Sequence, residues 1–165
     1  MQRLSELVIR LAEADVEFVL VGGLAAAIHG STLNTRDADI CCRFSEANLM
    51  KLQKAMEGLN PVHRARPDLP LDLSPDLCAR LKNLYLKTDW GIVDCLGEVL
   101  GVGGYDEVLR HSIPVNLPGG TIRILDRETL IQAKIAMGRP HDLITVDQLR
   151  RIPSASELNG NAEQG

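Results

Sequence analysis

The sequence predicts an α/β fold, in which a mixed β-sheet is flanked by helices and closed by a C-terminal helical segment. Three observations predict it. Short apolar runs rich in strand formers recur along the chain between segments of helical periodicity. A glycine pair, Gly22-Gly23, joins the first such run directly to an alanine-rich helix. Two later pairs of runs are joined by turns, one Thr-Asp-Trp-Gly and one containing Pro118-Gly119-Gly120. A chain of 165 residues holds one core and little more, so residues 1–152 are read as a single domain.

Taken in order, Leu4, Leu7, Val8 and Leu11 recur at helical spacing and predict an opening helix. Residues 17–21 (EFVLV) read as a strand, broken by the glycine pair. LAAAIH then has high helix propensity up to His29, and Gly30 suits the helix end. Residues 37–44 (DADICCRF) form a second strand with carboxylates at its start, and Ser45 caps a helix over 46–58. Residues 60–73 are rich in Pro, Arg and Asp and read as a loop. Ser74-Pro75 pairs an N-cap with a proline at the first helical position, opening a short helix to residue 82. Strands follow over 84–88 and 92–96, then a short helix over 105–110 and strands over 113–117 and 121–125. Asp126 caps a helix ending at Gly138, and 140–151 is the last helix. Residues 153–165, ending SASELNGNAEQG, lack apolar periodicity and are expected to be disordered.

Composition narrows the function classes. Aromatic residues are only 3% of the chain, too few for a platform that stacks single-stranded bases. The net charge of −4 provides no general attraction to nucleic acid or to an anionic membrane. Cys41, Cys42, Cys78 and Cys95 have no zinc spacing and lie in apolar stretches, so they read as reduced and buried. The N-terminus, MQRLSELVIRLAEAD, is an amphipathic helix rather than a signal peptide, and no apolar run has membrane-spanning length. A cytoplasmic location is the expectation.

The chemistry sits in the acids. Asp37 and Asp39 are two apart on a strand, so both side chains leave the same face. Neighbouring carboxylates repel each other, and a hard divalent cation relieves that conflict. Asp94 lies inside the apolar run GIVDCL, where an acid needs a reason to be. If its strand neighbours that of Asp37 and Asp39, three carboxylates converge, enough for two metal ions. Gly22 and Gly23 end a strand and feed a helix, which presents free backbone N–H groups where a phosphate could approach. Read without a ligand, the same pair is a tight strand-to-helix turn. Lys134 and Arg139 could neutralise a triphosphate, although cations near a helix C-terminus are also explained by the helix dipole.

The stretch VEFVLVGGLAAAIHGSTLNTRDADI, followed by WGIVDCLGEVLG, resembles the polymerase-β-type nucleotidyltransferase superfamily. Its nearest likeness is to the small bacterial members, minimal nucleotidyltransferases and the nucleotidyltransferase toxins of abortive-infection systems. LDRETLIQAKIAMGRPHDLITVDQL is similar to the helical segment that closes such domains. The resemblance implies that Gly22 and Gly23 contact the nucleotide's phosphates. It also implies that Asp37 and Asp39 bind both metals, and that Asp94 binds the catalytic metal and helps deprotonate an acceptor hydroxyl. The ions implied are two Mg²⁺, or Mn²⁺ in their place. The implied substrates are a nucleoside triphosphate and an acceptor that is a tRNA end, a protein hydroxyl or a small molecule. Two positions depart from the pattern: Gly23 stands where serine is common, and His141 precedes Asp142 where lysine is usual.

Several polar residues near these motifs have structural readings beside the functional one. Asn34, Thr35 and Arg36 precede the acid pair and could touch phosphate, or simply be loop. His29 reads as a packed helix-end histidine, His63, Arg64 and Arg66 as a basic loop cluster that is solvated or could meet an acceptor, the solvated loop being preferred, and Trp90 as packing. The alternative to an enzyme is a degenerate nucleotide-binding or regulatory module, antitoxin-like, working through a protein partner or a second copy of itself. A magnesium-dependent phosphohydrolase fits the glycine turn less well.

Overall fold

The computed structural model describes residues 3–153. Helix α1 (Leu4–Glu13) leads into strand β1 (Phe18–Val21), helix α2 (Gly22–His29) and strand β2 (Asp37–Cys42). Helix α3 (Glu46–Ala55), strands β3 (Val62–His63) and β4 (Arg66–Pro70) and helix α4 (Pro75–Arg80) come next. They are followed by strands β5 (Asn83–Thr88), β6 (Gly91–Leu96), β7 (Glu98–Val99) and β8 (Gly103–Gly104). The chain continues through α5 (Tyr105–Arg110), β9 (Ser112–Leu117), β10 (Gly120–Leu125), α6 (Arg127–Met137) and α7 (Pro140–Arg151). The segment expected to be disordered, 153–165, lies outside the described residues apart from Pro153.

Local chemistry places the element ends. The side chains of Ser45, Ser74 and Asp126 accept hydrogen bonds from the backbone N–H of Asn48, Leu77 and Thr129, each an N-cap as expected. Helices α2 and α6 both stop at a left-handed glycine, Gly30 and Gly138.

Eight strands form one mixed sheet in the order β4-β3-β5-β6-β2-β1-β10-β9. The pairs β1–β10 and β2–β6 are parallel and the other pairings are antiparallel. Strand β1 is buried along its whole length, as a central strand covered on both faces must be. Leu7 and Leu11 of α1 join Leu20, Ile40, Leu86 and Ile124 from the strands in one core with no exposed surface. Trp90 packs as expected, beneath the guanidinium of Arg3 at 3.9 Å from the ring centroid.

The expected loop over 60–73 is corrected by the structure. Strands β3 and β4 form a hairpin there, with His63 opposite Arg66 and β3 also paired to β5. Strand β4 is the sheet edge and is exposed throughout, so it carries no alternation of apolar and polar residues. Its prolines, Pro67 and Pro70, are tolerated because an edge strand leaves one side of its backbone unpaired.

Candidate functional site

The register of β2 against β6 assembles the acids. Asp39 lies directly opposite Asp94 in a parallel pairing, and Asp37, two residues earlier, leaves the same face. Ala38, Ile40 and Cys42 point the other way into the core. On the far side of β6, Tyr85 pairs with Asp94, so Asn83, Tyr85 and Lys87 extend this face over β5 as an open surface.

The three carboxylates differ in environment. Asp94 is buried, and burial pushes its pKa upward, opposed by the Arg64 guanidinium. Asp39 is pushed up to about 6, first by burial and then by the charges of Asp94 and Asp37, with Lys134 and Arg139 pulling against them. Asp37 is the open member, its side chain 37% exposed. One oxygen, Asp94 Oδ1, is buried with no hydrogen-bond partner among the described residues. A buried carboxylate oxygen without a donor is costly unless something else occupies its lone pairs.

The donor set therefore fits a hard divalent cation by its chemistry: three carboxylates on one face, mutually repelling, with one orphaned oxygen. Among the described residues no three acid, imidazole or thiol side chains are arranged to hold a metal ion, so the fit is one of donor chemistry and not of geometry. The cation found beside the acids is Arg64, whose Nη1 lies 2.9 Å from Asp94 Oδ2 and 3.7 Å from Asp37 Oδ2.

The glycine turn touches the site by its backbone. Gly22 begins α2 at a φ of +68°, and a Cβ there would stand 2.3 Å from Asp39 Oδ2. Glycine at this position lets the helix start lie against a carboxylate, a reason that holds with or without phosphate. Gly23 faces the other side, and its missing Cβ would meet Thr35 Oγ1 at 3.0 Å. Thr35 in turn donates its hydroxyl to the Asp37 carbonyl, so the loop before the acids is tied to the strand it feeds.

Lys134 and Arg139 reach the same place from the C-terminal helices. With Gly22, Asp39 and Tyr85 they line a cavity of about 320 Å³, whose remaining wall is largely apolar and includes Leu130 and Met137. Asp142, fully buried, holds both cations: Lys134 Nζ at 3.1 Å, and Arg139 Nε at 2.6 Å. Burial opposes ionisation of Asp142, but the bonds from Arg139 and Lys134 outweigh it and lower its pKa to about 2. Lys134 is itself buried, which a dipole-serving surface lysine would not be. A larger depression of about 460 Å³ between α1 and α3 is open and lined by Arg10, Lys51 and Lys54 without any clustered acids.

The sequence therefore named Asp37, Asp39, Asp94, Gly22, Lys134 and Arg139, which the structure brings together, while Gly23 packs on Thr35 one step away. It did not single out Tyr85, it named Asp142 only as part of the closing run without a partner, and it read Arg64 as solvated. His29 is packed as expected, its Nε2–H donating to the Leu125 carbonyl at 2.8 Å. The signal for Arg64 was weak, because a tight turn near the acids is visible only after β3 is paired with β5.

No family profile and no curated protein sequence matches the chain. Among solved structures, a Thermotoga maritima protein provisionally named a nucleotidyltransferase is similar at 19% identity, over 90% of this chain and 94% of that one, with a TM-score of 0.55. At that identity the likeness is one of architecture. No described helix is long and apolar enough to cross a membrane. The mixed sheet, its strand order and this likeness give the chain a nucleotidyltransferase fold.

Proposed function

We propose that the protein transfers a nucleotidyl group from a nucleoside triphosphate to an acceptor hydroxyl and releases pyrophosphate. The observation that carries this reading is the shared cavity: Asp39, Gly22, Lys134 and Arg139 face one volume beside Asp94. Phosphates would lie toward Gly22 and the two cations, with the base against the apolar wall. Asp37, Asp39 and Asp94 would hold two Mg²⁺ or Mn²⁺ ions. When bound, the ions supply charge neutralisation at the phosphates and a more acidic acceptor hydroxyl. In the transfer, the acceptor oxygen forms a bond to the α-phosphorus and the bond from that phosphorus to the oxygen bridging to the β-phosphate breaks. The acceptor's proton would pass toward the Asp94 carboxylate.

The test is incubation of cell extract with each triphosphate labelled at the α-phosphate, with Mg²⁺, and identification of the labelled molecule. That molecule distinguishes a tRNA end, a protein hydroxyl and a small-molecule acceptor. Asp94→Asn is expected to lower transfer at least about 100-fold with triphosphate binding retained. Wild-type protein that transfers label from no triphosphate to any component of the extract would sink the enzyme reading. The second reading, a regulatory module that binds without turnover, is favoured by one observation: the Arg64 guanidinium neutralises part of the acid cluster.

A further inference from the structure

Arg64 lies in the two-residue turn between β3 and β4, at the edge of the sheet. Its backbone N–H donates to the Tyr85 carbonyl at 3.0 Å, which pins the turn to β5. From that anchor its guanidinium spans Asp94 and Asp37, the position that a cation bridging the two carboxylates would take.

We infer that Arg64 is a displaceable counter-cation, and that a divalent ion enters between Asp37 and Asp94 only as the Arg64 side chain leaves. The inference rests on the nucleotidyl-transfer reading of the site, since it needs the acids to be metal ligands. A guanidinium and a divalent ion cannot both occupy one carboxylate pair, because two cations a few ångströms apart repel strongly in a half-buried site.

Three further features fit displacement. Arg64 serves the acids incompletely: it bonds Asp94 Oδ2 and leaves Asp94 Oδ1 buried without a partner among the described residues. It also leaves Asp39 to Lys134 and Arg139, the cations whose charges relieve that carboxylate. The side chain has somewhere to go, being 39% exposed on an edge hairpin with the Tyr85 ring 5.2 Å from its guanidinium carbon. A cation released from the acids can remain over that aromatic face or enter water, while the anchored backbone stays in place. The carboxylates are thus kept together and soluble before the metal arrives, and free cation is bound less tightly than three acids alone would bind it.

The experiment is a titration of metal-stripped protein with Mn²⁺, reading unbound ion by paramagnetic resonance at fixed pH and ionic strength. Arg64→Gln is expected to bind Mn²⁺ about ten-fold more tightly than wild type, a size set by one lost repulsion discounted for solvent exposure. Arg64→Lys, which keeps the charge on a different stem, falls between the two. Arg66→Gln, on the same hairpin but paired with Asp68, keeps the wild-type affinity. Melting of the metal-free proteins supplies a second readout: Arg64→Gln melts below wild type and gains more from added Mn²⁺. Equal or weaker Mn²⁺ binding in Arg64→Gln overturns the inference and leaves the proposed function standing. No Mn²⁺ binding in either protein overturns both.

Discussion

Asp39 carries a cost that the fold accepts without metal. Its ordinary pKa is 3.8 and its folded value is about 6, so between these the native state holds a proton that the unfolded chain has released. Stability therefore falls as pH rises from about 4 to about 6 and stays lowered above that. The gap corresponds to at most about 3 kcal/mol. Asp94, also raised by burial, acts in the same direction. Asp39→Asn should melt several degrees above metal-free wild type at pH 7 to 8, at ~2–4 °C per kcal/mol. The two proteins should converge near pH 4, and parallel melting curves across that range would refute the assignment. Gly22 offers a second residue-scale test. Gly22→Ala places a Cβ against Asp39 at a left-handed φ, whereas Gly23→Ala meets only the Thr35 hydroxyl region. The first should lower the melting temperature more than the second. Equal losses would mean that Asp39 does not pack on the helix start.

At the scale of elements, α6 and α7 are joined by a charge network as well as by packing. Asp142 at the start of α7 accepts from Lys134 on α6, and from both the side chain and the backbone N–H of Arg139. Asp142→Ala leaves Lys134 buried without its partner, at a cost of about 3–5 kcal/mol. Urea unfolding measures this, and a loss below about 1 kcal/mol would show that the network is not structural. Replacing both members with apolar residues, Lys134→Met with Asp142→Leu, should recover most of the loss while removing a cation from the cavity. In wild type the Asp142 contribution is present above its ordinary pKa and is lost as pH falls from about 4 toward 2. The hairpin β3–β4 is the opposite kind of element. Nothing in its composition resembles a strand, and it exists because β5 and the register of His63 against Leu86 give its backbone partners.

Over the whole molecule, one core runs from α1 through the central strands to α7, where Leu149 is fully buried. Unfolding should therefore be a single transition with equal calorimetric and van't Hoff enthalpies, and two resolved transitions would divide the chain. What the sequence alone determined is whatever depends on neighbours along the chain. Ser45, Ser74 and Asp126 cap within three residues of themselves, Gly30 and Gly138 end helices by their own φ, and Asp37 and Asp39 share a face by the two-residue period of a strand. The candidate acids were legible for that reason, and because Asp94 interrupts an apolar run. What only the tertiary structure decided depends on pairings between distant segments. The parallel register sets Asp94 opposite Asp39, and the edge hairpin carries Arg64 from what reads as a solvated loop to a point between two carboxylates. Lys134 is turned from a helix-end cation into a buried partner of Asp142 by the docking of α7 on α6. These contacts join residues eight to 55 positions apart in the chain, and such pairings follow from how strands and helices pack in space, which local periodicity and propensity do not encode.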